Sequence, residues 1–205
     1  MGVKERKALE KQIRRNQILD AARSLLFSSG IDSISISKIA NQAELGVGTI
    51  YFYYKNKEEI FIALQKEGVE LLYSMILQIV KKDINHEEKL SRIAFCYYRF
   101  SEEQKNYFDI INYFLSSPTI YFEPDLKNKI DMSGHKILRI IRDIVADGVQ
   151  QNVLNEQDPQ KFSIMFWGTL HGLLQFKKLE KTVLENESHE KLFNYSVQKL
   201  ISSIK

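Results

Sequence analysis

Apolar residues recur at spacings of three and four along most of this 205-residue chain. This periodicity is typical of amphipathic helices, and no segment shows the sustained two-residue alternation that half-buried strands require. The first periodic run starts near Ile13 and ends before Gly30, where a glycine can close a helix. Its apolar positions are Ile18, Ala21, Ala22, Leu25 and Leu26. The pattern therefore predicts an all-α fold.

Two short helices that meet at a tight turn are predicted between residues 35 and 54. The first begins after Ser35, a favourable N-cap, and a turn around Glu44–Gly46 leads into the second, Val47–Tyr54. The apolar positions that let this pair pack on the preceding helix are Ile36, Ile39, Ala40, Ala43, Leu45 and Ile50. The outer face of the second helix then holds Val47, Gly48, Thr49, Phe52 and Tyr53.

A long helix follows from Lys57 to about Lys82, and Asn56 with Glu59 at its start resembles a capping box. Asp158 before a proline marks the start of another helix. Together with the periodicity, these signals predict helices over Glu87–Glu103, Tyr107–Leu115, Asp125–Gln151, Pro159–Glu185 and His189–Ile204.

The outer face of Val47–Tyr54 carries groups that a helix can use to read the major groove of DNA. Thr49 can donate to and accept from base edges, and a Val47 or Thr49 methyl can meet a thymine methyl. The hydroxyls of Tyr51 and Tyr53 can bind phosphates, which fixes register without carrying sequence information. Lys57, at the start of the next helix, adds a positive charge, and together with neighbouring backbone N–H groups it can bind a phosphate.

Core packing is the alternative interpretation of these aromatic rings. It suits Tyr54 and remains open for Phe52. It explains poorly why five polar residues cluster within nine positions, namely Thr49, Tyr51, Tyr53, Lys55 and Lys57. The pattern favours DNA binding.

The distribution of charge is compatible with a polyanionic partner for the first quarter of the chain. The net charge is only +3, but residues 1–57 contain ten Lys/Arg and five Asp/Glu, whereas the remainder contains 19 and 21. A solvated basic tail without a partner would give the same balance, so charge alone leaves both interpretations open.

Residues Asn16–Ala63 resemble the DNA-binding domain of the TetR (tetracycline repressor) family of bacterial transcriptional regulators. The matching stretches are ILDAARSLLFSSG and SISKIANQAELGVGTIYFYYKNKEEI. The resemblance implies that Ile50 is the buried anchor of the reading helix. It also implies operator contacts from Ser35, Ser37, Lys38, Val47, Gly48, Thr49, Tyr51, Tyr53 and Lys57, to which the outer-face position of Phe52 adds a tenth candidate.

Two positions depart from the usual family pattern. Glu44 stands where the family commonly has a turn glycine, which predicts a non-glycine residue at positive φ at a cost of about 1 kcal/mol. Gly46 replaces a capping Ser or Thr, a loss of roughly a few tenths of a kcal/mol. The basic residues before Asn16 resemble the extension that many members use on the DNA backbone or minor groove, although a frayed leader accounts equally well for Met1–Ala8: Lys4, Arg6, Lys7, Lys11, Arg14 and Arg15.

The resemblance implies a division into residues 1–56, a three-helix DNA-binding domain with its helix-turn-helix at about 35–54, and residues 57–205, a larger helical effector-binding and dimerisation domain joined to it by the long helix. One reading helix covers few base pairs, so useful specificity needs two copies about one helical turn apart. We expect a homodimer through two C-terminal helices, a four-helix interface, with packing inside one subunit as the alternative. The residues expected there are Trp167, Gly168, Gly172, Phe193, Val197 and Leu200.

Ten of the 23 aromatic residues lie within residues 95–122, Tyr121 and Phe122 included. Buried tyrosine hydroxyls need partners, and many bulky rings pack with gaps, although each ring taken singly suits a core. With the effector site that the resemblance implies, this predicts a pocket for a small, largely apolar or planar ligand. Its expected lining is Tyr97, Tyr98, Phe108, Phe114, Phe166 and His171.

The function expected from these patterns is a one-component regulator, a repressor that binds a palindromic operator on double-stranded DNA and is released by its effector. Activation, or a helical interaction module without DNA binding, is the alternative. An enzyme is not expected, because the four histidines are scattered and no metal, phosphate or nucleophile motif occurs. No cofactor or membrane partner is expected either. A single cysteine, Cys96, and the lack of a signal-like apolar segment favour a cytoplasmic setting.

Overall fold

The computed structural model describes residues 2–116, 124–184 and 187–205, and no strand occurs among them. Ten α-helices follow one another within these ranges: α1 Val3–Ser29, α2 Ile36–Gln42, α3 Val47–Tyr53, α4 Lys57–Val80, α5 His86–Glu103, α6 Lys105–Ser116, α7 Pro124–Gln150, α8 Pro159–Phe176, α9 Glu180–Val183 and α10 His189–Ser202. The all-α prediction is confirmed.

Two predicted helix limits are wrong. Helix α1 begins at Val3, about ten residues before its apolar periodicity, so the segment that could have been a frayed leader is helical. The helix predicted over Pro159–Glu185 ends at Phe176 and passes through a 3-10 turn into the short α9. This break allows the Glu180 carboxylate to accept the His189 backbone N–H at 2.8 Å, where α10 begins. Glu185 itself lies outside the described residues.

The capping residues behave largely as the sequence predicts. Gly30 has a φ of 73° and donates its N–H to Leu26, which closes α1. The Ser35 hydroxyl accepts the Lys38 N–H at 3.2 Å. The Asn56 side chain accepts the Glu59 N–H at 2.9 Å, whereas the Glu59 carboxylate accepts the N–H of Lys55, one residue before the partner that a strict capping box would use.

The chain divides into two compact units. The first contains α1–α3, α4 up to Val69, and α6; the second contains α4 from Glu70, α5, α7 from Asp131, and α8–α10. In the first unit, α1–α3 pack around a core that also receives Ile110 and Phe114 of α6. The other fully or nearly fully buried members include Ile18, Ala22, Leu26, Ile39, Ala40, Ile50, Tyr54, Ile60 and Leu64.

A charged group near α1 ties three helices of the first unit together. Arg23 of α1 makes a two-pronged ion pair with Glu67 of α4, at 2.9 and 2.8 Å. Tyr107 of α6 donates its hydroxyl to the same carboxylate at 3.2 Å. Hydrogen bonding to Glu67 raises the pKa of the Arg23 guanidinium above its already high ordinary value. Paired N–H···O bonds of this kind fix orientation as well as distance.

In the second unit, α10 packs against α5 and α8. Phe193 is 1% exposed and Val197 is 3% exposed, and the Phe193 ring lies 5.1 Å from that of Tyr98. Both side chains pack inside their own subunit, which agrees with the alternative stated above, and their assignment to a dimer interface stays a prediction. Leu200 on the same helix is half-buried.

The close contact between Gly68 of α4 and Tyr107 of α6 predicts a stability effect. A Cβ added at Gly68 would lie 2.8 Å from Tyr107 Cβ, whereas one added at Gly134 meets nothing within 4 Å. Gly68→Ala should lower the free energy of unfolding by about 1–2 kcal/mol, because overpacking of roughly 1–3 kcal/mol outweighs the gain in helix propensity. Gly134→Ala, the matched control, should raise it by up to about 1 kcal/mol. Urea unfolding measures both, and equal stabilisation by the two changes would contradict this packing.

Candidate nucleic-acid interface

Hydrogen bonds from the backbone and from a side chain of α1 hold the turn between α2 and α3 in place. Glu44 has a φ of 55°, so the prediction of a non-glycine residue in the left-handed region is confirmed. The Leu45 N–H donates to the Ala40 carbonyl at 2.9 Å, and Gln17 of α1 donates its side-chain amide to the Ala43 carbonyl at 2.8 Å. These bonds keep the two short helices in one arrangement on α1.

Helix α3 has one side in the core and the other in solvent. Ile50 is fully buried, whereas Val47, Tyr51 and Phe52 are 42%, 53% and 76% exposed. Gly48 is also exposed. The predicted outer face is therefore open to a partner. The alternative that Phe52 belongs to the core is wrong, and Tyr54, at 1% exposed, is a core residue as expected.

Thr49 and Tyr53 border this open face. Both are half-buried, and the Tyr53 side chain packs against the core of the first unit. The Phe52 ring meets that of Tyr53 edge-on, with 5.0 Å between centroids. Only part of Tyr53 is therefore available to a ligand, which limits it to the edge of a DNA contact.

The remaining predicted contacts lie on α2 and at the start of α4. Ser35, Ser37 and Lys38 are exposed, and the Lys38 ammonium donates to the Ser33 carbonyl at 2.8 Å. Ser35 uses its hydroxyl as the N-cap of α2, whereas the exposed Ser37 lies two residues further on. Lys57 is half-buried, and its ammonium lies 5.1 Å from the centre of the Phe61 ring.

Arg15 has a structural role that the sequence analysis missed. Its guanidinium donates to the Tyr53 carbonyl at the C-terminal end of α3, at 2.8 Å, and lies 4.2 Å from the centre of the Tyr54 ring. A cation is favourable where the helix dipole is negative. Burial raises the pKa of the Tyr54 hydroxyl, and the charge of Arg15 opposes that shift. Arg15 precedes Ile18 by three residues, a spacing that could have indicated its inward orientation.

The other basic residues of α1 differ in exposure according to their position along the helix. Lys4, Arg6, Lys7 and Lys11 are exposed along the first turns of the helix. Arg14 is half-buried and donates to Gln17 at 2.7 Å. Arg15 differs from these residues because its guanidinium donates to the Tyr53 carbonyl of α3, and a DNA contact from the basic extension stays a prediction.

The six residues predicted to bind an effector belong to different units. Tyr97, Tyr98, Phe166 and His171 lie in the second unit; Phe108 and Phe114 lie in the first, where Phe114 is part of the core that contains Ile50. A single site built from all six stays a prediction. Tyr121 and Phe122, from the same aromatic stretch, lie outside the described residues.

A buried polar pair occupies the interior of the second unit. The Tyr97 hydroxyl and His171 Nδ1 are 2.8 Å apart, and Trp167 stacks on the Tyr97 ring at 4.2 Å. Burial raises the pKa of Tyr97 and lowers that of His171, so both groups are neutral at pH 7. The pair places hydrogen-bonding atoms among aromatic rings.

One side of α8 is exposed. A Cβ added at Gly168 or Gly172 meets nothing within 4 Å, and Ile164, Met165 and Phe176 are 52%, 47% and 48% exposed. Trp167, which was also expected at a dimer interface, is half-buried against Tyr97. The exposed side of α8 is the part of the predicted interface that remains open to a partner.

No helix in the described ranges is both long and apolar enough to cross a membrane. No group of three or more His, Cys, Asp or Glu side chains in them could hold a metal ion.

Comparison with known proteins places this geometry among bacterial regulators. The family model described as "Bacterial regulatory proteins, tetR family" matches residues 18–64. The fatty acid metabolism regulator protein of Bacillus subtilis is 28% identical over 162 residues, which cover 78% of this chain and 81% of that protein. An uncharacterised HTH-type transcriptional regulator of Haemophilus influenzae is 30% identical over 105 residues, or 51% of this chain and 49% of that protein.

Solved structures agree with the sequence relatives. The regulator FadR from Bacillus subtilis, crystallised with stearoyl-CoA, has a TM-score of 0.69 and 26% identity over 92% of this chain and 98% of its own. AibR, crystallised with isovaleryl coenzyme A and operator DNA, has a TM-score of 0.66 over 92% of this chain and 98% of its own. Its 20% identity supports the fold alone.

The contact between Arg15 and α3 predicts a stability difference within α1. Arg15→Ala should lower the free energy of unfolding by about 1–3 kcal/mol, since it removes a charged hydrogen bond and a cation–π contact. Lys11→Ala, one turn earlier and exposed, should change it by less than about 0.5 kcal/mol. Thermal and urea unfolding of the full chain measure the difference. Equal effects of the two substitutions would show that Arg15 does not support α3.

Proposed function

The chain belongs to the TetR family of bacterial regulatory proteins, and on this basis we propose that it is a repressor that binds a palindromic operator as a homodimer and leaves it on binding a fatty acyl-coenzyme A. It is a DNA-binding regulator of transcription and not an enzyme. The observation that carries the proposal is the two-sided α3, with Ile50 buried and Val47, Tyr51 and Phe52 in solvent.

In this proposal, residues 1–56 form the DNA-binding domain. The exposed side of α3 enters the major groove, and its neighbours on α2 and α4 hold the phosphates on either side. Base edges and phosphates are contacted by Ser35, Ser37, Lys38, Val47, Gly48, Thr49, Tyr51, Phe52, the exposed part of Tyr53 and Lys57. A partner of this kind places the protein in the cytoplasm, where bacterial DNA lies.

Residues 57–205 supply dimerisation and effector binding. The open side of α8, with Gly168 and Gly172 at its centre and Ile164, Met165 and Phe176 around them, is the surface for the second subunit. Small residues allow two helices to approach closely, and the apolar residues around them contribute burial. Two subunits then present their α3 helices to half-sites about 34–36 Å apart.

A fatty acyl-coenzyme A is proposed because one relative is the fatty acid metabolism regulator protein of Bacillus subtilis and because FadR, a structural neighbour, was crystallised with stearoyl-CoA. An acyl chain needs an apolar interior with a few polar groups that fix its orientation. The hydrogen-bonded pair of Tyr97 and His171, with Trp167 stacked on the Tyr97 ring, supplies such groups.

Release from DNA follows from linkage. The effector shifts the dimer toward an arrangement with the wrong distance between the two α3 helices, by no more than its differential affinity for the two arrangements. Helix α4 contributes residues to both units, Lys57–Val69 to the first and Glu70–Val80 to the second. It is the covalent element through which the change reaches α3.

The effector proposal predicts a reciprocal effect on binding. Stearoyl-CoA should weaken binding of the full chain to a duplex selected from a random library by roughly 5- to 150-fold, the usual range of allosteric coupling. The duplex should weaken stearoyl-CoA binding by the same factor, because linkage is symmetric. Fluorescence anisotropy and calorimetry measure the two effects.

Coenzyme A and stearate at equal concentrations are the controls. An equal effect of stearate, or a loss of DNA binding without the reciprocal change, would indicate detergent action and contradict the proposal. Transcription in vitro from a promoter that contains the duplex then separates repression from activation.

The DNA-contact assignment predicts distinct effects for neighbouring substitutions. Tyr51→Phe and Thr49→Ala should each weaken operator binding by about 2- to 10-fold, the value of one hydrogen bond, with an unchanged unfolding midpoint. Lys57→Ala should reduce the magnitude of the negative slope of log affinity against log salt by about 0.9 for each subunit bound, or about 1.8 for the dimer. Ile50→Asp should unfold the first unit, because it buries an unpaired charge.

These effects are measured by anisotropy titrations at several salt concentrations, together with circular dichroism melts. Unchanged affinity in both Tyr51→Phe and Lys57→Ala would contradict the assignment. A salt slope near zero for the unmodified chain would instead indicate a helical interaction module that does not bind DNA.

A further inference from the structure

Phe52 is the most exposed large apolar side chain in the described part of the chain, at 76%. It lies on α3, opposite the fully buried Ile50. Single exposed apolar residues are common and need no explanation by themselves. Two further features set this one apart: the ring is held edge-on by Tyr53 at 5.0 Å, and it occupies the middle of the face that the proposed function assigns to DNA.

The space beside the ring is open toward the start of the helix. Gly48 precedes Phe52 by four residues and so lies on the same line of the helix surface. Side chains on a helix lean toward its N-terminus, so the Phe52 side chain lies on the Gly48 side of its own Cα. A Cβ at position 48 would meet nothing within 4 Å. The helix surface at Gly48 is therefore open, and it lies in the N-terminal half of α3, the half that approaches base edges in helix-turn-helix complexes.

The chemistry of a phenyl ring limits what it can read. It has no hydrogen-bond donor or acceptor, so it cannot distinguish bases by their polar edges. The one apolar group that base pairs present in the major groove is the 5-methyl of thymine. We propose that Phe52 is a specificity-determining residue that selects thymine at one position of each half-site by packing on this methyl group. The proposal rests on the proposed function, since it requires α3 to lie in the major groove.

Val47 is the other exposed apolar side chain of α3, and it would contact a different base pair. Five residues separate it from Phe52, which corresponds to about 7.5 Å along the helix and roughly 140° around its axis. At 42% exposed, it offers a smaller free surface than Phe52. A thymine that Phe52 contacts can therefore be distinguished from a thymine that Val47 contacts.

The test uses the full chain and a duplex selected from a random library, resynthesised with deoxyuridine in place of thymidine at one position at a time. This exchange removes only the methyl group and leaves every hydrogen bond of the base pair in place. At one symmetric pair of positions, the unmodified chain should bind the deoxyuridine duplex about fourfold more weakly per half-site, the effect of one methyl group returned to water.

Phe52→Ala should weaken binding to the thymidine duplex by at least the same factor and should abolish the difference between thymidine and deoxyuridine at those positions. Val47→Ala and Tyr51→Phe are the matched controls on the same helix, and both should retain the difference. Because Phe52 is exposed, circular dichroism should give the same melting midpoint for Phe52→Ala as for the unmodified chain.

The outcomes separate this inference from the proposed function. Failure of the unmodified chain to select or bind any duplex would overturn the proposed function and this inference with it. Normal binding with no sensitivity to deoxyuridine would overturn the inference alone, as would sensitivity lost in Val47→Ala but kept in Phe52→Ala. Weaker binding of Phe52→Ala with an unchanged deoxyuridine effect would indicate that the ring wedges or packs elsewhere on the DNA, and would also overturn it.

Discussion

Burial of Ile50 is the constraint on which the rest of the reading head depends. Helix α3 has seven residues, too few to persist alone in water. Placing Ile50 in the core with Ile18, Ile39 and Tyr54 fixes the rotation of α3 about its own axis. Because that rotation is fixed, the side chains on the opposite side of α3, which include Val47 and Phe52, keep a constant direction. Recognition chemistry on one side is thus set by packing on the other.

Hydrogen bonds add to the stabilisation of α2 and α3 that burial provides. The turn before α3 keeps Glu44 at a φ of 55°, which costs on the order of 1 kcal/mol for a residue with a side chain. Gln17 and Arg15, both from α1, bind the carbonyls that end α2 and α3. The last carbonyls of a helix lack partners within it, so these two side chains satisfy groups that would otherwise face water. Helix α1 therefore holds both short helices at once, through Arg15 and Gln17.

The sequence predicted the features that depend on residues close together in the chain. It predicted fewer of the features that depend on contacts between residues far apart in the chain. Apolar spacing placed the helices, and hydroxyl or glycine caps at Ser35 and Gly30 placed several of their ends. The same spacing could not show what covers Phe193 and Val197, because an apolar stripe looks alike whether its own subunit or another packs on it. Arg15 was counted with the basic tail because its partner, the Tyr53 carbonyl, lies 38 residues away. The aromatic stretch likewise gave no sign that Phe114 belongs to the core beneath α3.

The contribution of α6 to that core has a consequence for exchanging parts between regulators. Ile110 and Phe114 pack with residues of α1–α3 although they follow more than fifty positions later in the chain. A chimera that takes only the first 56 residues from another protein would place a foreign surface against these two side chains. Grafts that carry the matching face of α6 along with the N-terminal segment keep the two surfaces complementary. The transferable part of this molecule is therefore discontinuous in sequence, and its border follows packing rather than the motif.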